Sequence, residues 1–195
     1  QCLVRAVVFH DFLTIVVCCL SMQQKEYVYH ATIKKYTSEE LTMFSQAFAS
    51  TVLWMERHPL EDAFGEYFQQ CISHGHNGQF FTPAHLAKLM AEIVNPVGKG
   101  NRVLDPCCGS GGLILSSAQV NRGQEFFGGD ISEICCKMTL INMYLNALTG
   151  EINHMNTISQ QIWRAWRVCR WPITRHPYIL ELTIVDDPET ETLCE

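Results

Sequence analysis

The chain has 195 residues, 47% of them hydrophobic and 17% charged, which predicts one sizeable packed domain and excludes a disordered chain. Of its 20 acidic residues, six lie between positions 181 and 195, where there is no Lys or Arg. The other 14 acidic residues balance the 14 basic ones, so the body of the chain is neutral, which argues against a protein that binds DNA on its own through a basic surface.

The first segment, residues 2–20, is apolar but contains the charged residues Arg5 and Asp11. A charge near the middle of a membrane span costs roughly 2.5–3.5 kcal/mol, so we predict no membrane anchor. Met22 is followed by a polar sequence, and we expect residues 1–21 to be an upstream or non-native extension. The alternative is a buried strand or a hydrophobic helix.

Cysteine usage indicates the redox environment. Six of the ten cysteines stand in adjacent pairs, at positions 18/19, 107/108 and 135/136. A disulfide between neighbours is strained and uncommon, so the pattern favours reduced thiols in a cytoplasmic protein. Cys71, His74 and His76 have the residue types of a zinc site but no fourth ligand at a usual spacing, and we predict no metal site.

Residues 22–77 are predicted to form a helical region. Thr37 and Glu40 have the spacing of a capping box, in which each side chain accepts a hydrogen bond from the other residue's backbone amide. Hydrophobic residues then recur at helical spacing up to His58-Pro59, as Leu41, Phe44, Phe48, Val52 and Met55. A second short helix is predicted over residues 60–71.

Residues 78–185 are predicted to form an α/β domain, followed by an acidic tail over residues 186–195. Thr82 and Pro83 suit the N-cap and the first position of a helix. The predicted buried stripe of this helix consists of Leu86, Leu89, Met90 and Ile93.

A regular alternation of strands and helices comes next. Strands are predicted over 102–104, 124–129 and 151–155, and helices over 113–120 and 132–148. This alternation is typical of a sheet of parallel strands. A helix over 159–171, with its tryptophans packed in the core, and a strand over 178–185 are predicted to complete the domain.

The turn after the first of these strands, Asp105-Pro106-Cys107-Cys108-Gly109-Ser110-Gly111-Gly112, is the strongest functional signal. Its glycines allow a ligand to approach the backbone, and Asp130, at the end of the next strand, can accept hydrogen bonds from ribose hydroxyls. A dinucleotide turn requires a small residue where Ile114 stands, and no phosphate loop is present. Because Asp105 suits a cationic amine rather than a pyrophosphate, the turn predicts a site for S-adenosylmethionine.

Three motifs together resemble the N6-adenine DNA methyltransferases, and in particular the modification subunits of type I restriction systems. They are Gly78-Gln79-Phe80-Phe81-Thr82-Pro83, residues 105–112 and Gly129-Asp130-Ile131, and the resemblance covers roughly residues 60–157. It implies a Rossmann-like S-adenosylmethionine-dependent methyltransferase fold with a shortened sheet, preceded by N-terminal helices. It also implies DNA as substrate, reached through a partner specificity subunit. The cofactor-binding residues that we expect are Gln79, Phe80, Phe81, Thr82, Pro83, Asp105, Cys107, Gly109, Ser110, Gly111, Gly112, Asp130, Ile131 and Asn156.

Two positions depart from the family pattern. The family has an acidic residue after its third strand, and here Asn156 takes that place, where its carbonyl could accept a hydrogen bond from the adenine amine. The catalytic motif Asn/Asp-Pro-Pro-Tyr/Phe, whose aromatic ring stacks on the flipped base, is absent. Only residues 176–178 and 186–189 are reminiscent of it, and we assign no catalytic residue.

These observations leave three functional hypotheses. The first is an S-adenosylmethionine-dependent DNA N6-adenine methyltransferase-like protein of a restriction–modification system. The second is a catalytically inactive module that binds the cofactor and acts in regulation or assembly. The third is a methyltransferase for a different substrate.

Overall fold

The computed structural model describes residues 2–22, 25–73, 81–94 and 102–184. Its helices are α1 (Cys2–Leu20), α2 (Glu26–Ile33), α3 (Ser38–Arg57), α4 (Gly65–Tyr67), a π-helix (Phe68–Ser73), α5 (Ala84–Val94), α6 (Gly112–Val120) and α7 (Glu133–Leu145). Its strands are β1 (Arg102–Asp105), β2 (Glu125–Asp130), β3 (Thr149–Asn156), β4 (Gln161–Arg170) and β5 (Pro177–Leu182).

The five strands form one sheet in the order β1-β2-β3-β4-β5. The β1–β2 and β2–β3 pairs are parallel, with α6 and α7 as the connecting helices, so the predicted α/β fold with preceding helices is confirmed. The β3–β4 and β4–β5 pairs are antiparallel. The sheet is therefore mixed, with its parallel half at the β1 end.

The prediction of a helix over 159–171 is wrong, because residues 161–170 form strand β4. The strand is hydrogen-bonded on both sides, to β3 and to β5, which gives its backbone the partners that a helix would otherwise supply. Trp166 is only 1% exposed and does lie in the core, whereas Trp163 and Trp171 are exposed.

Helix α1 belongs to the hydrophobic core. Leu13 is completely buried, Phe9 and Val16 are nearly so, and the helix packs against α7. Within the described part of the chain, no helix is both long and apolar enough to cross a membrane. That residues 1–21 are an upstream or non-native extension stays a prediction, as do the other domain boundaries.

The capping box of α3 is confirmed. The Thr37 hydroxyl accepts a hydrogen bond from the Glu40 amide at 3.3 Å, and the Glu40 carboxylate accepts one from the Thr37 amide at 2.8 Å. These bonds satisfy backbone donors that have no partner within the first turn of the helix.

The second predicted helix, over 60–71, is only partly correct. The structure has the short α4 and the π-helix instead, and residues 60–63 are not helical. Two asparagines, Asn142 of α7 and Asn146 at its C-cap, hold this segment by its backbone. Asn146 accepts a hydrogen bond from the Leu60 amide at 2.7 Å, and Asn142 accepts one from the Ala63 amide at 3.3 Å. Because these two amides donate to asparagine side chains, they do not make the backbone hydrogen bonds of a regular helix.

Helix α5 begins at Ala84, one residue after the predicted start, and the Pro83 carbonyl accepts the Ala87 amide at 3.0 Å. The predicted buried stripe is wrong: its four residues, Leu86, Leu89, Met90 and Ile93, are 44–73% exposed. Ala87 and Ala91 are buried in their place, and α5 packs against α6. Small alanines allow the two helices a close approach, and this turns the larger side chains outward.

Candidate cofactor site

The turn between β1 and α6 has a backbone shape that depends on glycine. Gly109 and Gly111 have φ angles of +54° and +95°, a region that residues with a Cβ seldom adopt. A Cβ on Gly111 would lie 3.2 Å from the Thr139 side chain, and the Thr139 hydroxyl donates to the Gly109 carbonyl at 2.9 Å. The Cys108 amide donates to Gly129 of β2 at 3.0 Å. The turn is thus attached both to α7 and to the neighbouring strand.

Asp130, the last residue of β2, is bonded to the turn. One carboxylate oxygen accepts the Gly109 amide at 2.9 Å, and the other accepts the Ser132 amide at 2.8 Å. A carboxylate has about four acceptor positions, so each oxygen keeps a lone pair that can serve a ligand. Asp130 therefore fixes the turn and remains able to accept further hydrogen bonds.

Asp105, the last residue of β1, is buried and accepts the Cys107 amide at 3.1 Å. Burial raises the pKa of its carboxyl, the Cys107 amide lowers it, and the negative charge of Asp130 raises it again. A buried carboxylate beside a second one is stabilised in its charged form by a nearby cation. This end of the sheet consequently favours a ligand that carries positive charge.

The cavity at this turn has a volume of about 60 Å³. Seven of the predicted cofactor residues line it, namely Phe81, Thr82, Asp105, Cys107, Gly109, Ser110 and Gly112, together with Asp62, Cys108 and Leu113. Small-molecule pockets usually measure about 300 Å³ or more, so a cofactor would require this cavity to open.

Phe81 restricts the cavity. A Cβ on Gly109 would lie 3.0 Å from the Phe81 ring, so the ring sits directly on the glycine. Behind it, Phe68 of the π-helix is stacked on Phe81, with a centroid separation of 5.8 Å. The aromatic pair therefore covers the turn from the side of the N-terminal helices.

Five other predicted site residues that the structure describes do not line this cavity: Pro83, Gly111, Asp130, Ile131 and Asn156. Pro83 and Gly111 flank it in the chain, and Ile131 is exposed beyond β2. Asn156 accepts the Ile158 and Ser159 amides with its side-chain oxygen, while its neighbour Thr157 donates to the Pro106 carbonyl of the turn at 2.7 Å. Gln79 and Phe80 lie outside the described residues.

Three site residues were missed by the sequence reasoning: Asp62, Thr139 and Asn142. Asp62 lies in the cavity wall, and its carboxylate accepts the Ser110 hydroxyl. The Asn142 amide donates to Asp62 at 2.8 Å and to the Ser110 carbonyl at 2.9 Å. Asp62 stands three residues before Gly65, a spacing typical of a turn that begins a helix, but no local pattern indicates that it reaches residue 110.

Neither cysteine of the turn is placed to act as a nucleophile. Burial and the nearby carboxylates raise the pKa of Cys107. A hydrogen bond with Cys136 and burial raise the pKa of Cys108, so both cysteines favour the protonated thiol.

Among the residues that the structure describes there is no group of three or more His, Cys, Asp or Glu side chains that could hold a metal ion. His74 and His76 lie outside those residues.

Of the two segments reminiscent of the catalytic motif, the structure describes only one. Residues 176–178 lie at the start of β5, at the opposite edge of the sheet from β1. Residues 186–189 lie outside the described part of the chain.

Comparison with known proteins places this site in context. A family model described as N-6 DNA Methylase matches residues 57–180, more than half of the chain. The methylase subunit of the type I restriction enzyme MjaIX from Methanocaldococcus jannaschii is 27% identical over 116 residues, which are 53% of this chain and 20% of that protein. The methylase subunit of the type I restriction enzyme EcoEI from Escherichia coli is 23% identical over 122 residues, 55% of this chain and 25% of that protein.

A type II restriction enzyme and methyltransferase from Heyndrickxia coagulans, RM.BcgI, is 34% identical over 68 residues, 32% of this chain and 10% of that protein. The chain thus spans a quarter or less of the length of these relatives. Among solved structures, a candidate class I S-adenosylmethionine-dependent methyltransferase from Listeria monocytogenes aligns with a TM-score of 0.47 and 12% identity, over 86% of this chain and 60% of that one.

Proposed function

Because the chain belongs to the N-6 DNA methylase family, we propose that it binds S-adenosylmethionine at the turn after β1, as the cofactor-binding part of a restriction–modification DNA N6-adenine methyltransferase. The observation that carries the proposal is the bond between the Asp130 carboxylate and the Gly109 amide. It fixes a ribose acceptor beside a glycine turn at the carboxyl ends of two parallel strands, where such sheets bind nucleotides.

S-adenosylmethionine, when bound, supplies a methyl group activated by its sulfonium. The residues of this chain bind and orient it. Asp105 pairs with the ammonium group, and its negative form becomes favoured once that cation is present. Asp130 accepts hydrogen bonds from the ribose hydroxyls with its remaining lone pairs.

The other proposed contacts surround these two. Phe81, Thr82 and Pro83 would cover the methionine end, and Ile131 and Asn156 would border the adenine ring. The family resemblance assigns Gln79 and Phe80, which lie outside the described residues, to the methionine end as well. Cys107 and residues 109–112 lie beneath the cofactor, where the turn presents backbone rather than side chains.

DNA and a partner specificity subunit are part of the proposal. Two relatives are described as methylase subunits of type I restriction enzymes, and the neutral body of this chain is a weak surface for phosphates on its own. We also infer a reducing compartment, the cytoplasm, because none of the described cysteines is in a disulfide.

A second candidate is a cofactor-binding module without methyl transfer. It is favoured by the absence of Asn/Asp-Pro-Pro-Tyr/Phe from residues 57–180, the part of the chain that the family model matches. A methyltransferase for another substrate is the third candidate, and it requires the same cofactor site.

Calorimetric titration with S-adenosylmethionine, followed by incubation with labelled cofactor and mixed-sequence DNA, separates these candidates. Binding with label transferred to adenine supports the enzyme. Binding without transfer to DNA supports the module or a methyltransferase for another substrate. If no heat of binding is detected, the proposed cofactor site is wrong and all three candidates fall.

Asp130→Ala tests the placement of the site. The change removes both the ribose acceptor and the anchor of the Gly109 amide, so we expect affinity for S-adenosylmethionine to fall about tenfold or more. Glu125→Ala is the matched control, because Glu125 begins the same strand and pairs only loosely with exposed Arg102, at 3.6 Å. If the affinity of Asp130→Ala for S-adenosylmethionine stays within about threefold of the wild type, the proposed location of the site is wrong.

A further inference from the structure

Residues 60–68 lie across the cofactor turn and are bonded to it through Asp62, whose carboxylate accepts the Ser110 hydroxyl. The segment that follows this contact is anchored in the core, since Phe64 and Phe68 are only 4% and 3% exposed. The backbone amides of Leu60 and Ala63 donate to Asn146, the C-cap of α7, and to Asn142 within that helix. The segment therefore gives Asp62 a stationary support from which to hold the turn.

The Asp62 carboxylate is engaged by protein donors on both oxygens. One oxygen accepts the Phe64 and Gly65 amides, each at 3.0 Å, and the Asn142 side-chain amide at 2.8 Å. The other accepts the Ser110 hydroxyl in a short hydrogen bond. Most of the acceptor capacity of this carboxylate is thus used by bonds within the protein.

Gly65 is what allows this close approach. A Cβ at residue 65 would lie 2.1 Å from an Asp62 oxygen and 2.6 Å from the Ser110 hydroxyl oxygen, closer than any real contact. Any other residue would push Asp62 and Ser110 apart. The segment and the turn are consequently fitted to one another across 48 positions of sequence.

Asn142 closes the arrangement from the side of α7. Its amide nitrogen bonds both the Asp62 carboxylate and the Ser110 carbonyl. Ser110 is therefore held at its hydroxyl and at its backbone, and it lies between Gly109 and Gly111, the two residues with positive φ. Fixing Ser110 fixes the conformation of both glycines.

We propose that Asp62 is a positioning residue of the cofactor turn, which acts through Ser110 to keep Gly109 and Gly111 in the conformation that receives S-adenosylmethionine. The proposal rests on the proposed function, namely that this turn binds the cofactor. It gives the N-terminal helical region a direct part in cofactor affinity, because the residue that holds the turn comes from that region.

Two substitutions distinguish positioning from direct contact with the ligand. Asp62→Ala removes all four hydrogen bonds. Asp62→Asn keeps an oxygen for the Phe64 and Gly65 amides and presents an NH₂ that donates to the Ser110 oxygen, since a hydroxyl can accept as well as donate. The Asn variant therefore keeps the geometry and removes only the charge.

The readouts are the affinity for S-adenosylmethionine, measured by calorimetry on the full chain, and hydrogen exchange of the Gly109 and Gly111 amides without ligand. We expect Asp62→Ala to weaken binding about tenfold or more and to speed exchange at both glycines. We expect Asp62→Asn to remain within about threefold of the wild type. Glu61→Ala, an exposed neighbouring acid that pairs with His58, is the control that changes neither readout.

An Asn variant as impaired as the Ala variant would overturn positioning in favour of a direct charge contact with the cofactor. An Ala variant with unchanged affinity and exchange would overturn it altogether. Ser110→Ala provides a second route if Asp62→Ala does not fold, because it removes only the donor on the turn; it should weaken binding and speed exchange, and no change in either would refute the proposal.

The two proposals fail separately. If the wild-type chain does not bind S-adenosylmethionine, the proposed function is wrong. The exchange measurement still decides the role of Asp62, since it requires no ligand: faster exchange of the Gly109 and Gly111 amides in Asp62→Ala supports positioning, and unchanged exchange overturns it.

Discussion

Carboxylates make different kinds of contact near the β1–β2 end of the sheet and near its β4–β5 end. At the β1–β2 end, Asp62, Asp105 and Asp130 accept hydrogen bonds mainly from backbone amides. Near β4 and β5, Glu133 and Glu181 are paired with cationic side chains. Glu133 binds Lys137 at 2.8 Å and Arg164 at 2.5 Å, and Glu181 binds Arg164 at 3.2 Å and Lys25 at 3.3 Å.

The difference shows how similar groups serve binding at one end and packing at the other. A carboxylate bonded to amides sets the shape of a turn and keeps acceptor capacity for a ligand. A carboxylate bonded to Lys or Arg has its charge compensated within the protein and joins elements to one another. The first end is suited to receive a cation, whereas the second attaches α7 to β4 and, through Lys137, to α1.

The largest expected effect is a loss of stability from breaking the ion pairs of Glu133 near β4 and β5. Glu133→Gln removes the shared partner of Lys137, whose side chain is 3% exposed, and of Arg164. Leaving a buried cation without its partner is costly, and because Glu133 itself is partly exposed we expect a loss of roughly 2–3 kcal/mol in the free energy of unfolding. Urea denaturation measures this loss, and the affinity for S-adenosylmethionine should stay unchanged.

Glu125→Gln is the matched control for this measurement. Glu125 and its partner Arg102 have side chains that are more than half exposed and lie 3.6 Å apart. Exposed pairs contribute about 0–1 kcal/mol, so the control should unfold at nearly the wild-type urea concentration. Equal losses in the two variants would mean that the buried network does not hold the packing end together.

The second prediction concerns backbone shape at the binding end. Gly111→Ala forces a Cβ into a residue with φ of +95° and places it 3.2 Å from Thr139, so we expect a loss of about 1–2 kcal/mol and weaker cofactor binding. At Gly112, the first residue of α6, a Cβ would meet no atom within 4 Å. Gly112→Ala should therefore be neutral or stabilising by up to about 0.5 kcal/mol. Thermal unfolding of both variants checks this, and similar losses would contradict it.

The smallest effect is a pH dependence of the α1–α7 contact. His10 faces Lys137 at 3.0 Å and also lies near Thr14, Asp11 and Glu133. Burial and the positive charge of Lys137 lower the pKa of His10, while the two carboxylates oppose this. Because the pKa is lower in the folded state, this contribution to stability is present above the ordinary His value of 6.5 and is lost as the pH falls through the folded-state pKa.

His10→Gln should weaken this pH dependence, because the amide cannot become charged. Melting temperatures measured between pH 7 and pH 5 should fall less for the variant than for the wild type, with a difference smaller than either effect above. Parallel decreases for the two proteins would show that His10 does not titrate against Lys137.

Features determined by neighbouring residues were predictable. The capping box at Thr37 and the start of α6 directly after the glycine turn depend on contacts within a few positions, and the structure has both. The succession of β1, α6, β2, α7 and β3 likewise follows from residues local to each element. The proximity of Asp105 and Asp130 could be predicted because neighbouring parallel strands end at the same edge of the sheet.

The failures share a physical cause, which is competition between local patterns and distant partners. Residues 161–170 carry a helix-compatible pattern, but hydrogen bonds from β3 and β5 on both sides make them a strand. Helix α5 offers both an aliphatic face and an alanine face to the core, and its close packing on α6 selects the alanines. Neither outcome can be predicted from the residues of the segment alone.

The sequence by itself determined the family, the alternation of strands and helices around the turn, and most of the residues that line the cavity, because each depends on short motifs with fixed spacing. Only the tertiary structure decided that α1 lies in the core, that the sheet ends in an antiparallel pair and that Asp62 holds Ser110 from 48 residues away. These three depend on which surfaces meet after the chain has collapsed, and a buried polar group can find its partner wherever folding places one.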